Sequence, residues 1–135
     1  MAELIYRTNF ERLTGDLLRD ERLTLHQRAY ILASVKHETK NKYEPVVEAF
    51  YVSPKAQERY LKSKPYYPWY GRGFIQLTHL ENYEKGFEVV HGRPPRSRFE
   101  LTLFRDSECM EWDNSYEIMI DGMLDGWFTG LSLRQ

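Results

Sequence analysis

Cysteine occurs once in this chain, at Cys109, which excludes an internal disulfide and a cysteine-based metal cluster. A lone thiol of this kind reads as a small buried apolar residue. Long apolar runs are also missing: nothing approaches the roughly 20 residues needed to span a bilayer, so no membrane insertion is expected. The first seven residues, Met1 to Arg7, lack the basic segment and apolar stretch of a signal peptide. Synthesis in a cytoplasm is the expectation, with any extracellular target reached by another route. Repeats, low-complexity tracts and interdomain linkers are absent too, and 135 residues suit one domain with a real core.

Net charge is only −1, yet it is unevenly spread. Residues 1–98 hold 17 Lys/Arg against 12 Asp/Glu, and residues 99–135 hold 2 against 8. A basic block can favour an anionic polymer, but more often it is solvated surface. Aromatics are plentiful at 15%, with the ten tyrosines concentrated between Tyr43 and Tyr83. Tyrosine pairs a flat apolar face with a polar tip, which suits both cores and sugar-binding walls.

Apolar spacing at Phe10, Leu13 and Leu17 predicts a helix over residues 4–19, broken near Gly15. Thr24 followed three residues later by Gln27 is a capping box, and it opens a helix to about Glu38. On that helix Leu25, Ala29, Leu32, Ala33 and Val35 share an apolar arc with Ile31 at its border. Pro45 makes residues 41–48 a loop. Pro54 starts a short helix through Leu61. Residues 66–70 read as an exposed aromatic loop because of Pro65 and Pro68. Residues 74–78 read as a short strand or hairpin arm, and residues 80–90 as a helix. His91 to Arg98 is a loop by its Gly and paired Pro. A last helix is expected from an Asn114 cap, presenting Tyr116, Met119, Ile120, Met123 and Trp127, with Gly122 and Gly126 allowing close packing and Gly130 as its stop.

The chemistry sits between His37 and Tyr83. A glycosidase needs one carboxylic acid to protonate the leaving oxygen and a second carboxylate to activate water or attack the sugar. Glu38 lies at a helix end, whose partial negative charge suits a carboxyl group that must hold a proton, although Lys36 and Lys40 pull the other way. Glu48 lies on the loop side, better solvated, as a base that activates water should be. Glu44 is its rival, and its place before Pro45 suits a surface role. A helical zinc motif would need a second histidine at position 41, which is Asn41, so no metal is expected. Gly71-Arg72-Gly73 lacks the lysine and hydroxyl residue of a phosphate loop and reads as a tight turn approaching a ligand. Gln76 and Thr78 should then share one strand face toward a cleft. The arginines of residues 91–98 have no recognition helix or stacking motif with them, so nucleic acid is not an expected partner.

His37-Glu38-Thr39, Glu44-Pro45-Val46-Val47-Glu48 and the block Tyr70-Gly71-Arg72-Gly73-Phe74-Ile75-Gln76-Leu77-Thr78-His79-Leu80-Glu81-Asn82-Tyr83 together resemble glycoside hydrolase family 19. The likeness is to its phage and prophage lysozyme-like members rather than to plant chitinases. It extends to Asp121-Gly122-Met123-Leu124-Asp125-Gly126-Trp127-Phe128-Thr129-Gly130 and spans residues 30–133. The resemblance implies a mainly α, lysozyme-like fold (α+β in detail) with a small β-hairpin beside the cleft. It implies inverting hydrolysis of β-1,4 bonds between amino sugars, with no cofactor. Glu38 matches the general acid, Glu48 the general base, and Thr78 a residue holding the attacking water. His37, Tyr70, Gln76 and Asn82 match residues lining the sugar cleft.

Peptidoglycan is therefore the expected partner, ahead of chitin, for a monomer acting on a bacterial wall or carried in a virion. Two departures bear on this. Lys40-Asn41 replace the glycines usual after His-Glu-Thr. The chain stops at Gln135, where family members continue through further helices, so a fold completed by a partner is an alternative. The rival reading is a non-catalytic protein that keeps the fold to bind glycan or another protein.

Overall fold

Hydroxyl residues open four of the six α-helices among the described residues. Thr8, Thr24, Ser53 and Ser97 each accept a backbone N–H from three residues on, satisfying a donor that the helix cannot. Each such cap stabilises its helix by about 1 kcal/mol. In the computed structural model, which describes residues 6–127, the chain divides into two compact units at the Glu44–Pro45 boundary. Length alone suggests one domain.

The first unit is a helix pair, α1 (Asn9–Arg19) and α2 (Leu25–Glu38). Helix α1 runs unbroken through Gly15, against expectation; Leu4 lies outside the described residues. A single glycine costs a helix roughly 0.5–1 kcal/mol, too little to break one that is capped and buries Leu13 and Leu17. The capping box of Thr24 and Gln27 forms as the sequence predicts. The buried face of α2 is only one edge of the expected arc: Val35 and the bordering Ile31 are buried and Leu32 is half-buried, whereas Leu25, Ala29 and Ala33 are exposed. The four-residue step that aligns Ile31 and Val35 continues to Thr39, which is fully buried. Arg28 binds the two helices together by donating to the Leu17 and Asp20 carbonyls at the end of α1, at 2.7 Å each. A cation there also meets the negative end of the helix dipole.

The second unit holds β1 (Val46–Val47), α3 (Pro54–Lys62), β2 (Arg72–Gly73), α4 (Leu80–His91), α5 (Arg98–Asp106), a 3-10 turn (Glu108–Met110) and α6 (Trp112–Asp125). The strands pair antiparallel, Val46 opposite Gly73 and Val47 opposite Arg72. So the 41–48 segment is not wholly loop, because it supplies a strand. Phe74 to Gln76 are a turn rather than a strand, closed by the Arg72–Leu77 bridge. Positive φ at Gln76 (64°) belongs to a tight turn rather than to regular strand, and Gly73, the last residue of β2, leads into that turn with φ 106°. The core joins Trp69, Leu77, Tyr83, Phe87, Leu101, Phe104, Cys109 and Ile118. Trp69 is buried, so the 66–70 loop is not simply exposed: its tryptophan anchors it. Burial pushes the Cys109 thiol up to about 12, which leaves it an apolar filler.

Helix α6 begins after Glu111, three residues before the expected cap. Asn114 lies inside its first turn, donating to the Glu108 carbonyl and the Glu111 carboxylate at 3.0 Å each. Its burial is broader than one side, covering Ser115, Tyr116, Ile118, Met119, Ile120, Gly122 and Leu124. It ends at Gly126 in the left-handed conformation, so Gly126 is a terminator; Gly130 lies outside the described residues. Among the described residues no helix is long and apolar enough to cross a membrane.

Helix α5 is absent from the sequence-based expectation, and it uses the arginine loop before it. Arg93 forks onto Glu100 at 2.8 and 2.9 Å, while the Arg96 N–H adds a third bond at 2.8 Å. The Arg93 bond, then that backbone bond, hold the Glu100 carboxyl down at about 2, below its ordinary 4.5. A depressed folded pKa contributes stability present above pH 4.5 and lost as pH falls toward 2. Glu100→Gln should therefore melt below wild type at pH 6, with the gap closing by pH 2. A gap that stays constant over that range would remove the ionised clasp from the fold's stability.

Candidate active site

The two expected catalytic carboxylates belong to different units. In the first, Glu38 and His37 occupy the last turn of α2 and are both exposed. Thr39 sets the path of the chain beyond them. Its buried hydroxyl donates to the Val35 carbonyl at 2.7 Å and accepts the Tyr43 N–H at 2.9 Å. Lys40, Asn41 and Tyr43 take positive φ (49°, 69° and 52°), so the turn glycine would make easily is here made by other residues and pinned by Thr39. Glu44, the rival carboxylate, accepts from Asn9 at 3.2 Å.

In the second unit Glu48 follows β1 directly and is half-buried rather than freely solvated. Its main chain extends the strand pairing, with its N–H on the Gly71 carbonyl at 2.8 Å. Its carboxylate takes the Gly71 N–H at 2.9 Å on one oxygen and the Tyr66 hydroxyl at 2.5 Å on the other. Gln57 of α3 donates to the Glu48 carbonyl at 2.9 Å. Burial first, then the carboxylate it faces, hold the Tyr66 phenol well above the usual tyrosine range, so it stays a donor. The Tyr66 ring also stands edge-on to His79 at 5.2 Å.

Gln76 and Thr78 join the same local network, by a route other than a shared strand face. The Gln76 amide donates to the Val46 carbonyl at 3.1 Å, and its side chain lies across Gly71. A Cβ on Gly71 would fall 2.4 Å from the Gln76 amide oxygen, so the close approach needing glycine is to this side chain. Gly73 faces Ser115 in the same way, and the Ser115 hydroxyl accepts the Phe74 N–H at 3.1 Å. The Thr78 hydroxyl donates to the Gln76 carbonyl at 2.9 Å, which leaves its lone pairs to accept. Asn82 is half-buried in the first turn of α4.

Arg72 organises the rest of the network. It is 7% exposed and donates to the Pro68 and Tyr70 carbonyls and, at 2.8 Å, to the Tyr83 hydroxyl. Its guanidinium lies 3.9 Å from the centre of the Tyr70 ring. The Tyr83 hydroxyl in turn donates to the Tyr70 carbonyl. Tyr70 is thus held at both its carbonyl and its ring by groups two and thirteen residues away. No sequence signal marks Tyr66, Gln57 or Arg72 for these tasks, because their partners are brought to them by the turn and the strand pairing.

Among the described residues no group of three His, Cys, Asp or Glu side chains is arranged to hold a metal ion. Three arginines after α4 are engaged within the fold: Arg93 by Glu100, and Arg98 and Arg105 over the Trp69 ring at 5.7 and 4.8 Å. Comparison with known proteins returns no matching family model, no matching curated protein and no matching solved structure.

Proposed function

We propose that the chain is a lysozyme-like glycoside hydrolase that cleaves β-1,4 bonds of peptidoglycan by an inverting two-carboxylate mechanism. The observation that carries the reading is Glu48. It is a carboxylate fixed by a phenol and a backbone N–H, inside the sequence block that resembles family 19. Two hydrogen bonds still leave a carboxylate with acceptor capacity, enough to take a proton from water. Thr78, its own proton committed to Gln76, accepts from that water and turns the lone pair toward the sugar. Glu38, exposed at the end of α2, is the proposed proton donor. His37, Tyr70, Gln76 and Asn82 are the proposed sugar contacts.

A second reading has an observation of its own. The side chains of Glu48, Gln76 and Thr78 all bond to the protein itself, as they would in a non-catalytic glycan- or protein-binding member of the fold. Release of new reducing ends separates the two. Purified peptidoglycan should gain reducing ends with wild-type protein, and faster than chitin oligomers do. No release from either polymer by folded protein would leave the binding reading.

A further inference from the structure

A cavity of about 270 Å³ opens on the α3 side of the second unit, lined by Val47, Pro54, Gln57, Glu58, Leu61, Tyr67 and Tyr70. We infer that it binds one amino-sugar ring of a glycan strand. The inference rests on the glycan reading above and assigns a ring site on the face that α3 builds.

Size comes first. Small-molecule pockets run roughly 300–1,000 Å³, so this one, just below that range, suits a single ring and not an oligomer. Its walls suit a sugar. The Tyr67 and Tyr70 rings lie side by side with centres 5.9 Å apart and planes tilted by 30°, and an aromatic wall of this kind suits the C–H side of a pyranose. Tyr67 is 44% exposed, so its ring is open to a ligand, while Tyr70 is held from behind by Arg72.

Polar groups meet the rim. Glu58 pairs with Lys62 at 2.7 Å, and that bond holds its carboxyl below the ordinary range. An ionised carboxylate keeps acceptor capacity for sugar hydroxyls after one ion pair. Gln57 is already oriented by its bond to the Glu48 carbonyl. The cavity is also tied to the candidate base: Val47 precedes Glu48, Tyr70 precedes Gly71, and Gln57 holds Glu48 directly.

The test is calorimetric titration of the N-acetylglucosamine trimer into the full chain carrying Glu38→Gln, so that ligand is not consumed. Adding Tyr67→Ala should weaken binding about tenfold, the scale of one aromatic contact, while Tyr67→Phe keeps it. Glu58→Ala, on the exposed side of α3, should weaken it severalfold. Unchanged affinity in both Tyr67→Ala and Glu58→Ala would overturn the site, as would no binding by the parent protein. Preference for stem peptides from digested peptidoglycan over the trimer would also overturn it. Hydrolysis by wild type is read separately. Binding that depends on Tyr67 without hydrolysis keeps the site and removes the activity, and the converse result does the opposite.

Discussion

Glu38→Gln should reduce reducing-end release by about 10²–10⁴-fold, the usual contribution of a positioned acid. The amide matches the carboxyl in shape and cannot deliver a proton to a leaving oxygen. Glu38 is exposed, and surface substitutions of this kind usually move stability by less than about 0.5 kcal/mol, so lost activity would not reflect lost fold. Glu48→Gln should be equally inactive for a different reason, since an amide cannot take a proton from water. The two variants are also expected to differ. Glu48 accepts from Tyr66 and Gly71, so replacing one of its oxygens with an NH₂ sets a donor against a donor and should lower the melting temperature as well. Wild-type turnover by folded Glu38→Gln would move the proton donor elsewhere. If Glu48→Gln alone were inactive, Glu48 would remain and Glu38 would not.

The largest stability effect is expected at Arg72. Replacing it with alanine takes away the donor to the Pro68 and Tyr70 carbonyls and to Tyr83, and leaves a hole beneath Tyr70. The Tyr70 carbonyl keeps the Tyr83 hydroxyl, but an acceptor left unsatisfied, as at Pro68, costs about 1–3 kcal/mol, and an unfilled cavity adds to that. Against this stands the relief of a buried cation, whose neighbours here are neutral acceptors rather than a carboxylate. The bonds and packing should win, with a net loss of about 3–5 kcal/mol. Arg72→Lys should recover only part of it, because an ammonium cannot lie flat on Tyr70 while reaching several acceptors. Denaturant unfolding at constant m would measure both. A loss under about 1 kcal/mol for Arg72→Ala would mean that desolvation of the guanidinium nearly cancels everything it holds.

These two residues show what a sequence discloses. Glu38 is conspicuous because it stands in a short pattern, His37-Glu38-Thr39, at the end of a helix whose start the Thr24 cap and Gln27 already locate. Arg72 sits in an equally short pattern between two glycines, yet its work depends on Tyr83 and the Pro68 carbonyl. Tyr83 reaches it from beyond the turn at residues 74–76, and Pro68 from the loop before it. The same distinction separates the helices. Local signals found α2, α3 and α4 nearly to the residue, since caps and proline act within one turn. Helix α5 went unread, although Ser97 caps it, because the Gly and paired Pro before it dominate a local reading.

Sequence alone determined the helical class, the main helix starts and which carboxylates and polar side chains are available for chemistry, since caps, turn residues and residue chemistry act over a few positions. Tertiary structure decided the division at Glu44–Pro45, the strand at Val46–Val47, the face of α2 that is buried and the partners of Glu48, Gln76 and Arg72. The bonds of Glu48 and Gln76 depend on groups 18 to 30 residues apart finding one another. A pairing of that kind is chosen by the burial and hydrogen bonding of the whole unit, and no short stretch of sequence carries it.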